Sequence, residues 1–196
     1  MNKVIATMSA VLLCLAGAAN AGDARSHGVS GRNMSSKSQT VSFSVDSDFS
    51  LPMSTYGDVN GPGLGALLTV EYPMIEQLSL TARAGFEFHL DKSPIAGVDS
   101  HVHAIPVLFG AKYYVLEKDR QGLFAAAEMG LFTLMTSASS GGASGSSTDM
   151  KFGIGAGVGY QWNEWNFRVN LHSHDIGNFG DLLVVSGGVG YQFAGI

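Results

Sequence analysis

Residues 78–90 read Leu-Ser-Leu-Thr-Ala-Arg-Ala-Gly-Phe-Glu-Phe-His-Leu. Leu78, Leu80, Ala82, Ala84, Phe86, Phe88 and Leu90 share one parity, while Ser79, Thr81, Arg83, Gly85, Glu87 and His89 share the other. Successive side chains of an extended chain point to opposite faces, so this alternation describes a β-strand with one apolar and one polar face.

The same reading, carried outward, predicts seven further strands. Residues 39–49 set Val41, Phe43 and Val45 against Ser42, Ser44 and Asp46, and residues 63–72 set Leu64, Ala66, Leu68, Val70 and Tyr72 against Gly65, Thr69 and Glu71. Residues 104–115 oppose Ile105, Val107, Phe109, Ala111 and Tyr113 to Gly110 and Lys112, although Pro106 cannot donate to a ladder. Residues 122–135 oppose Leu123, Ala125, Ala127, Met129 and Leu131 to Glu128 and Gly130, with Phe124 and Phe132 also on the polar side. Residues 150–161 carry Phe152, Ile154, Ala156, Val158 and Tyr160 against Lys151 and four glycines. Residues 165–174 set Trp165, Phe167, Val169 and Leu171 against Asn166, Arg168, Asn170, His172 and His174; residues 181–193 resolve late into Val189, Tyr191 and Phe193 against Gly188, Gly190 and Gln192.

The connections alternate in length. Residues 50–62, 91–103, 136–149 and 175–180 are the longer ones, whereas 73–77, 117–121 and 162–164 are short. Short turns at one end and long loops at the other suit an eight-stranded antiparallel up-and-down transmembrane β-barrel. Ser137–Ser147, nearly all Ser, Gly and Ala, reads as a mobile surface loop.

The N-terminus reads as an export signal. Lys3, the apolar run from Val4 to Ala18 and the small-x-small triplet Ala19-Asn20-Ala21 predict cleavage after Ala21. The domain reading is a signal peptide over 1–21, a flexible periplasmic segment over 22–38, a barrel over 39–193 and a tail over 194–196. The only cysteine, Cys14, falls inside the signal and follows Leu13, so neither lipidation nor a disulfide is expected. A formal net charge of −5 argues against nucleic acid.

Alternation does not say which face is inside. A soluble lipocalin-like barrel would carry Lys, Glu and Asp on its exterior. Here the polar face is mainly Gly, Ser, Thr and Asn, and only 14% of the chain is charged. Such a face suits the interior of a barrel of about eight strands, wide enough only for side chains. Tyr72, Tyr113, Tyr160, Trp162, Trp165, Tyr191 and Phe193 lie at strand ends on the short-turn side, the pattern of an interfacial aromatic girdle. The apolar face is therefore expected to meet lipid.

With these strands in place, the chain resembles the small outer-membrane barrels of the OmpA/OmpX type. Ser186, Gly188, Tyr191 and Phe193 match that family's C-terminal assembly signal, and Ile105-Pro106-Val107 through Tyr113-Tyr114 resembles one of its strands. The signal usually ends such chains, whereas Ala194-Gly195-Ile196 follow here. The resemblance implies a Gram-negative outer membrane. It also implies contact with its lipid and lipopolysaccharide, and recognition by the barrel assembly machinery and periplasmic chaperones. A monomer without cofactor is expected, and its loops are suited to a host surface or a phage.

Three constellations bear on chemistry. Asp46, Glu71, Glu87 and Glu128, with Arg83, Lys112, Lys151 and Arg168, share the polar parity and are expected to form a luminal ion-pair network that plugs the barrel, with a gated pore as the alternative. His101 with His103, and His172 with His174, are i, i+2 pairs, which share a face of a strand. Imidazoles so spaced suit a metal, but the strands carrying His89, His101 and His103 are expected across the barrel from His172 and His174. Polar rim histidines are therefore preferred, able to gain charge near pH ~6.5 beside Asp175 and Asp181. Finally, His172-Ser173-His174-Asp175 sits where PagL-type lipid A deacylases, also eight-stranded barrels, carry a His-x-Ser pair. Adjacent His172 and Ser173 point to opposite faces, so a non-enzymatic role is expected, with a lipid A-modifying enzyme or a small channel as alternatives.

Overall fold

The computed structural model describes residues 40–95, 98–115, 120–140 and 143–195. The proposed signal peptide, the whole 22–38 lead-in, Gln39 at the start of the expected first strand, and Ile196 lie outside these residues. Among the described residues nine strands form one antiparallel sheet: β1 (Ser42–Pro52), β2 (Gly63–Pro73), β3 (Leu78–His89), β4 (Lys92–Ile95), β5 (Val98–Tyr114), β6 (Gly122–Ser140), β7 (Ala143–Trp162), β8 (Trp165–Ser173) and β9 (Leu183–Gly195). The spatial order is β3-β2-β1-β9-β8-β7-β6-β5, and a β3–β5 pairing closes the ring. Eight strands make the wall. The short β4 adds only a hairpin edge to β5.

The two faces segregate as the alternation requires. Val45, Leu64, Leu68, Leu80, Phe86, Phe109, Met129, Val158 and Val169 are exposed on the outside of the wall, and the seven girdle aromatics are exposed at its short-turn end. Inside, Asp46, Arg83, Glu87, Lys112, Glu128 and Arg168 are buried. A soluble monomer rarely exposes a contiguous apolar surface beyond a few hundred Å². An apolar belt around a closed wall, with all ladder bonds made between strands, is how a sheet satisfies its backbone in lipid. No helix among the described residues is long and apolar enough to cross a membrane.

Where the strands run differs from the sequence reading at the long-loop end. β6 and β7 continue as a hairpin through the Ser/Gly/Ala stretch, with Thr136 opposite Ser147 and Ser139 opposite Ser144, instead of opening into a loop. β5 starts at Val98 and pairs His101 with Ser137 along this extension. Small side chains give no alternation to read, yet the ladder needs only their backbone. β7 pairs with β8 from Ile154 to Trp162, so its upper half has β6 as sole ladder partner. β9 likewise runs through Ala194 and Gly195, the residues assigned to a tail, which face Phe43 and Ser42 of β1.

Pro106 is accommodated within β5. The β5–β6 ladder passes through the Pro106–Phe132 pair, while the β3–β5 ladder skips from Ala84–Val107 to Glu87–Ala104. The missing N–H falls on that second side, so one interruption absorbs it.

Residues between β1 and β2 form a six-residue helix, α1 (Ser54–Val59), that spans the long-loop mouth. No side-chain cap starts it. A helix this short is held by tertiary contacts. Tyr56 N donates to Asp181 O and Met53 N to Leu183 O, both at 2.8 Å, while Asn60 Oδ1 accepts from Val102 N at 2.7 Å. These bonds fix α1 between β9 and β5 and drive Tyr56, 1% exposed, into the barrel.

Candidate functional site

The lumen is the candidate site, and it is layered. In the middle, Arg83 of β3 gathers three carboxylates: Glu128 accepts from Nη1 at 3.0 and 3.1 Å, Asp48 from Nη2 at 3.3 Å, and Asp46 lies 3.4 Å from Nε. Arg168 Nη1 stands 3.9 Å from Glu128. Thr69 Oγ1 donates to Asp46 and accepts from Arg83 Nε. Asp48 has the same parity as Asp46 but was left out of the expected network. Continued along β1, the alternation that selected Asp46 would have found it.

Toward the short turns, Lys112 Nζ donates to Glu71 Oε2 and Gln161 Oε1, both at 3.1 Å, and Tyr114 Oη donates to Glu71 Oε1 at 3.0 Å. The ammonium also sits over the Phe124 ring at 4.2 Å. Below it a polar cavity of about 20 Å³ is lined by Asp46, Glu71, Lys112, Gln161 and Arg168 among others. That is room for a single water rather than a hydrated ion.

The inward aromatics of β6 fit the glycines opposite them. A Cβ on Gly159 would collide with the Phe124 ring, and one on Gly153 with the Phe132 ring. Large residues on one strand thus fill space that the neighbouring strand vacates. The same close approach explains Gly188 and Gly190 of β9, where a Cβ would strike the carboxylates of Asp48 and Asp46.

At the long-loop end the filling becomes apolar and imidazole-rich. Tyr56, Val102, Ala104, Leu108, Phe132, Leu134 and Val184 pack together beneath α1. Tyr56 meets His89 and His174 edge-on at 5.5 and 5.3 Å, Phe132 stacks on His174 at 4.2 Å, and His89 Nε2 pairs with Ser50 Oγ at 3.3 Å. Glu87 is here too, with His174 Nε2 at 3.9 Å.

Of the eight charged residues expected to form one network, Asp46, Arg83, Glu128 and Arg168 come together and Glu71 pairs with Lys112. Glu87 stands apart among histidines, and Lys151, opposite Phe132 at the long-loop end, pairs with Asp175 at 3.1 Å. Two expectations about the histidines are corrected. His172 and His174 are not rim groups; they are 4% and 0% exposed beneath Tyr56. Lying across the barrel from β3 does not separate them from Glu87, because an eight-stranded interior is only as wide as two facing side chains. His101 and His103 face outward instead, stacked at 4.4 Å, with His103 stacked on Phe88. Asp175 accepts from Gly177 N at 2.9 Å and Asn178 Nδ2 at 3.0 Å, and the Asn178 bond foremost, then Lys151, holds its carboxyl below the ordinary carboxylate range. Ser173 Oγ donates to the Asp175 carbonyl at 3.1 Å and is buried.

Ser186 is buried at the lumen side of β9, whereas Tyr191 and Phe193 are 46% and 57% exposed toward the belt, with Gly188 between them and Ser186. Trp165 packs on Tyr191 at 5.0 Å.

No protein-family model and no curated protein matches the chain. Solved structures do. The chain is similar to Ail, the attachment invasion locus protein of Yersinia pestis, in complex with the heparin analogue sucrose octasulfate, at 17% identity and a TM-score of 0.55 over 79% of this chain and 98% of that one. Ail without that ligand gives 15% identity and a TM-score of 0.56, covering 79% and 99%. The N-terminal β-barrel domain of Pseudomonas aeruginosa OprF gives 16% and 0.51, covering 78% and 97%. Identities this low speak to architecture. The closed ring, the outward apolar face and these neighbours agree: the chain has the fold of the small eight-stranded outer-membrane barrels of the OmpA/OmpX type.

Proposed function

We propose that the protein is a non-enzymatic, non-conducting barrel of a Gram-negative outer membrane that acts through its external face in envelope integrity or surface interaction. The observation carrying this reading is the filled lumen. Arg83 and its three carboxylates block the middle, Lys112 and its partners the short-turn end, and α1 the mouth. What remains available for a partner among the described residues is the β5–β6–β7 extension, whose β7 edge above Ile154 has no second ladder partner, the kind of edge that accepts an added strand.

In this reading residues 1–21 direct export and are removed after Ala21. Ser186, Gly188, Tyr191 and Phe193 serve recognition by the assembly machinery, and the girdle aromatics sit at the periplasmic interface. Lipid and lipopolysaccharide are the constant partners, with a host surface or phage as occupant of the extension. A polyanion such as the sulfated ligand of Ail is not favoured. Among the described residues the long-loop end carries Lys92 and Lys151, and both are engaged, by Gly57 O and by Asp175.

Reconstitution into planar bilayers tests the closed lumen. Insertion without steady conductance is expected. A stable ohmic channel in the wild type would overturn the reading, and lipid A that loses an acyl chain only when the protein is present would replace it with the enzyme.

A further inference from the structure

Three buried side chains from opposite walls converge below Tyr56: Glu87 of β3, His172 of β8 and His174 just past the end of β8. β3 and β8 are four places apart in the ring by either route. One ligand atom from each residue lies within 4.8 Å of the other two, and all three residues are buried. Glu87 Oε2 and both ring nitrogens of His172 and of His174 have no hydrogen-bond partner among the described residues. Glu87 has no arginine or lysine nitrogen within ion-pair distance among them either; His174 is its one such contact. A buried carboxylate without a counter-charge is unfavourable, and each orphaned imidazole nitrogen adds to that. In the neighbouring Arg83 layer each carboxylate has an ion-pair contact, although Asp48 Oδ1 and Arg168 Nε and Nη1 also lack hydrogen-bond partners there; what sets the Glu87 cluster apart is that three such side chains bring their ligand atoms together.

We propose that Glu87, His172 and His174 bind one divalent transition-metal ion inside the barrel. Two imidazoles and a carboxylate form a donor set suited to Zn²⁺ and its neighbours, with a fourth position left for water. Tetrahedral ligands at about 2.1 Å from a metal stand ~3.4 Å apart, so donors within 4.8 Å of one another need close by at most ~1.4 Å. The rings are held for this: His172 and His174 lie 5.1 Å apart at 22° and Phe132 stacks on His174 at 4.2 Å. Neutral histidine nitrogens and a carboxylate oxygen supply the electron pairs, and no bond to carbon changes. The ion would tie β3 to β8 across the lumen, linking two strands that share no ladder. Because α1 covers the site, the ion enters before the mouth closes or when α1 lifts.

The test uses untagged protein folded in detergent micelles, stripped with chelator and dialysed against Zn²⁺, with Co²⁺ as the spectroscopic probe. The wild type should retain one Zn²⁺ per chain and give a Co²⁺ ligand-field band. Glu87→Gln and His172→Gln should each weaken Zn²⁺ binding at least about tenfold, as loss of one of three protein ligands demands. The double variant His101→Gln/His103→Gln and His27→Gln should bind as the wild type does. Should the luminal variants fail to fold, imidazole ¹⁵N shifts in the wild type decide: Zn²⁺ should move His172 and His174 and leave His101 in place. Retention well below one equivalent, unchanged affinity in Glu87→Gln, or loss of binding in the exterior variant would each overturn the proposal.

Discussion

Replacing Arg83 with Met tests the luminal plug most severely. The guanidinium is 3% exposed and holds Glu128 through two hydrogen bonds, Asp48 through one and Asp46 at 3.4 Å. Within this layer three carboxylates face two guanidiniums; without Arg83 they face only Arg168, whose one ion-pair contact among the described residues is the 3.9 Å approach to Glu128. Met keeps the stem volume but strands Asp46 and Asp48. Removing one partner of a buried ion pair costs about 3–5 kcal/mol, because the partner left behind has neither water nor counter-charge. The expected loss is therefore about 3–5 kcal/mol in urea unfolding of the barrel in lipid vesicles, read as a midpoint shift at constant slope. Adding Glu128→Gln should return part of it, with a coupling of about 0.5–3 kcal/mol. An Arg83→Met barrel within about 0.5 kcal/mol of the wild type would refute the argument.

Ala84, on the outer face of β3 beside Arg83, should tolerate no charge: Ala84→Arg is expected to cost about 2–4 kcal/mol in the same vesicle assay, where Ser47→Arg at an outward position nearer the mouth costs less. Gly159→Ala should cost about 1–3 kcal/mol, since its methyl meets the Phe124 ring and the Phe167 carbonyl; pairing it with Phe124→Leu should recover part of the loss. For Asp175 the folded carboxyl lies below its unfolded value, so its contribution is complete above the unfolded pKa and disappears as pH falls through the folded one. Amide NMR signals of residues 176–178 should thus persist down to pH ~4 and broaden on further acidification, whereas Asp175→Asn should remove that transition.

Much of the fold was legible because a membrane barrel writes both of its solvents into one parity rule. Leu78–Leu90 shows lipid on one side and lumen on the other without help from distant residues. The outward girdle aromatics and the inward placement of Arg83, Glu128, Glu71 and Lys112 follow from the same rule, whereas which of those charges pair does not. What stayed hidden depends on space rather than sequence period. Phe124 and Phe132 looked like defects in a polar face until Gly159 and Gly153 showed the room they occupy. α1, only six residues long, has no helical period to detect, and it is made by bonds to Asp181, Leu183 and Val102. The Glu87–His172–His174 cluster was missed because strand separation around the ring was read as distance. Across a lumen this narrow, opposite walls touch.

Accessibility along β3 tests the central claim most directly. Single cysteines placed at Ser79, Leu80, Thr81, Ala82, Ala84, Phe86, Glu87 and Phe88 in a Cys14→Ser background, spin-labelled and folded into vesicles, report collisions with lipid-soluble oxygen and with an aqueous nickel complex. Positions 80, 82, 84, 86 and 88 should be strongly oxygen-accessible, and positions 79, 81 and 87 shielded from both reagents. Oxygen accessibility at the odd positions, or no period of two, would contradict a barrel that faces lipid with its apolar side and seals its lumen with charge.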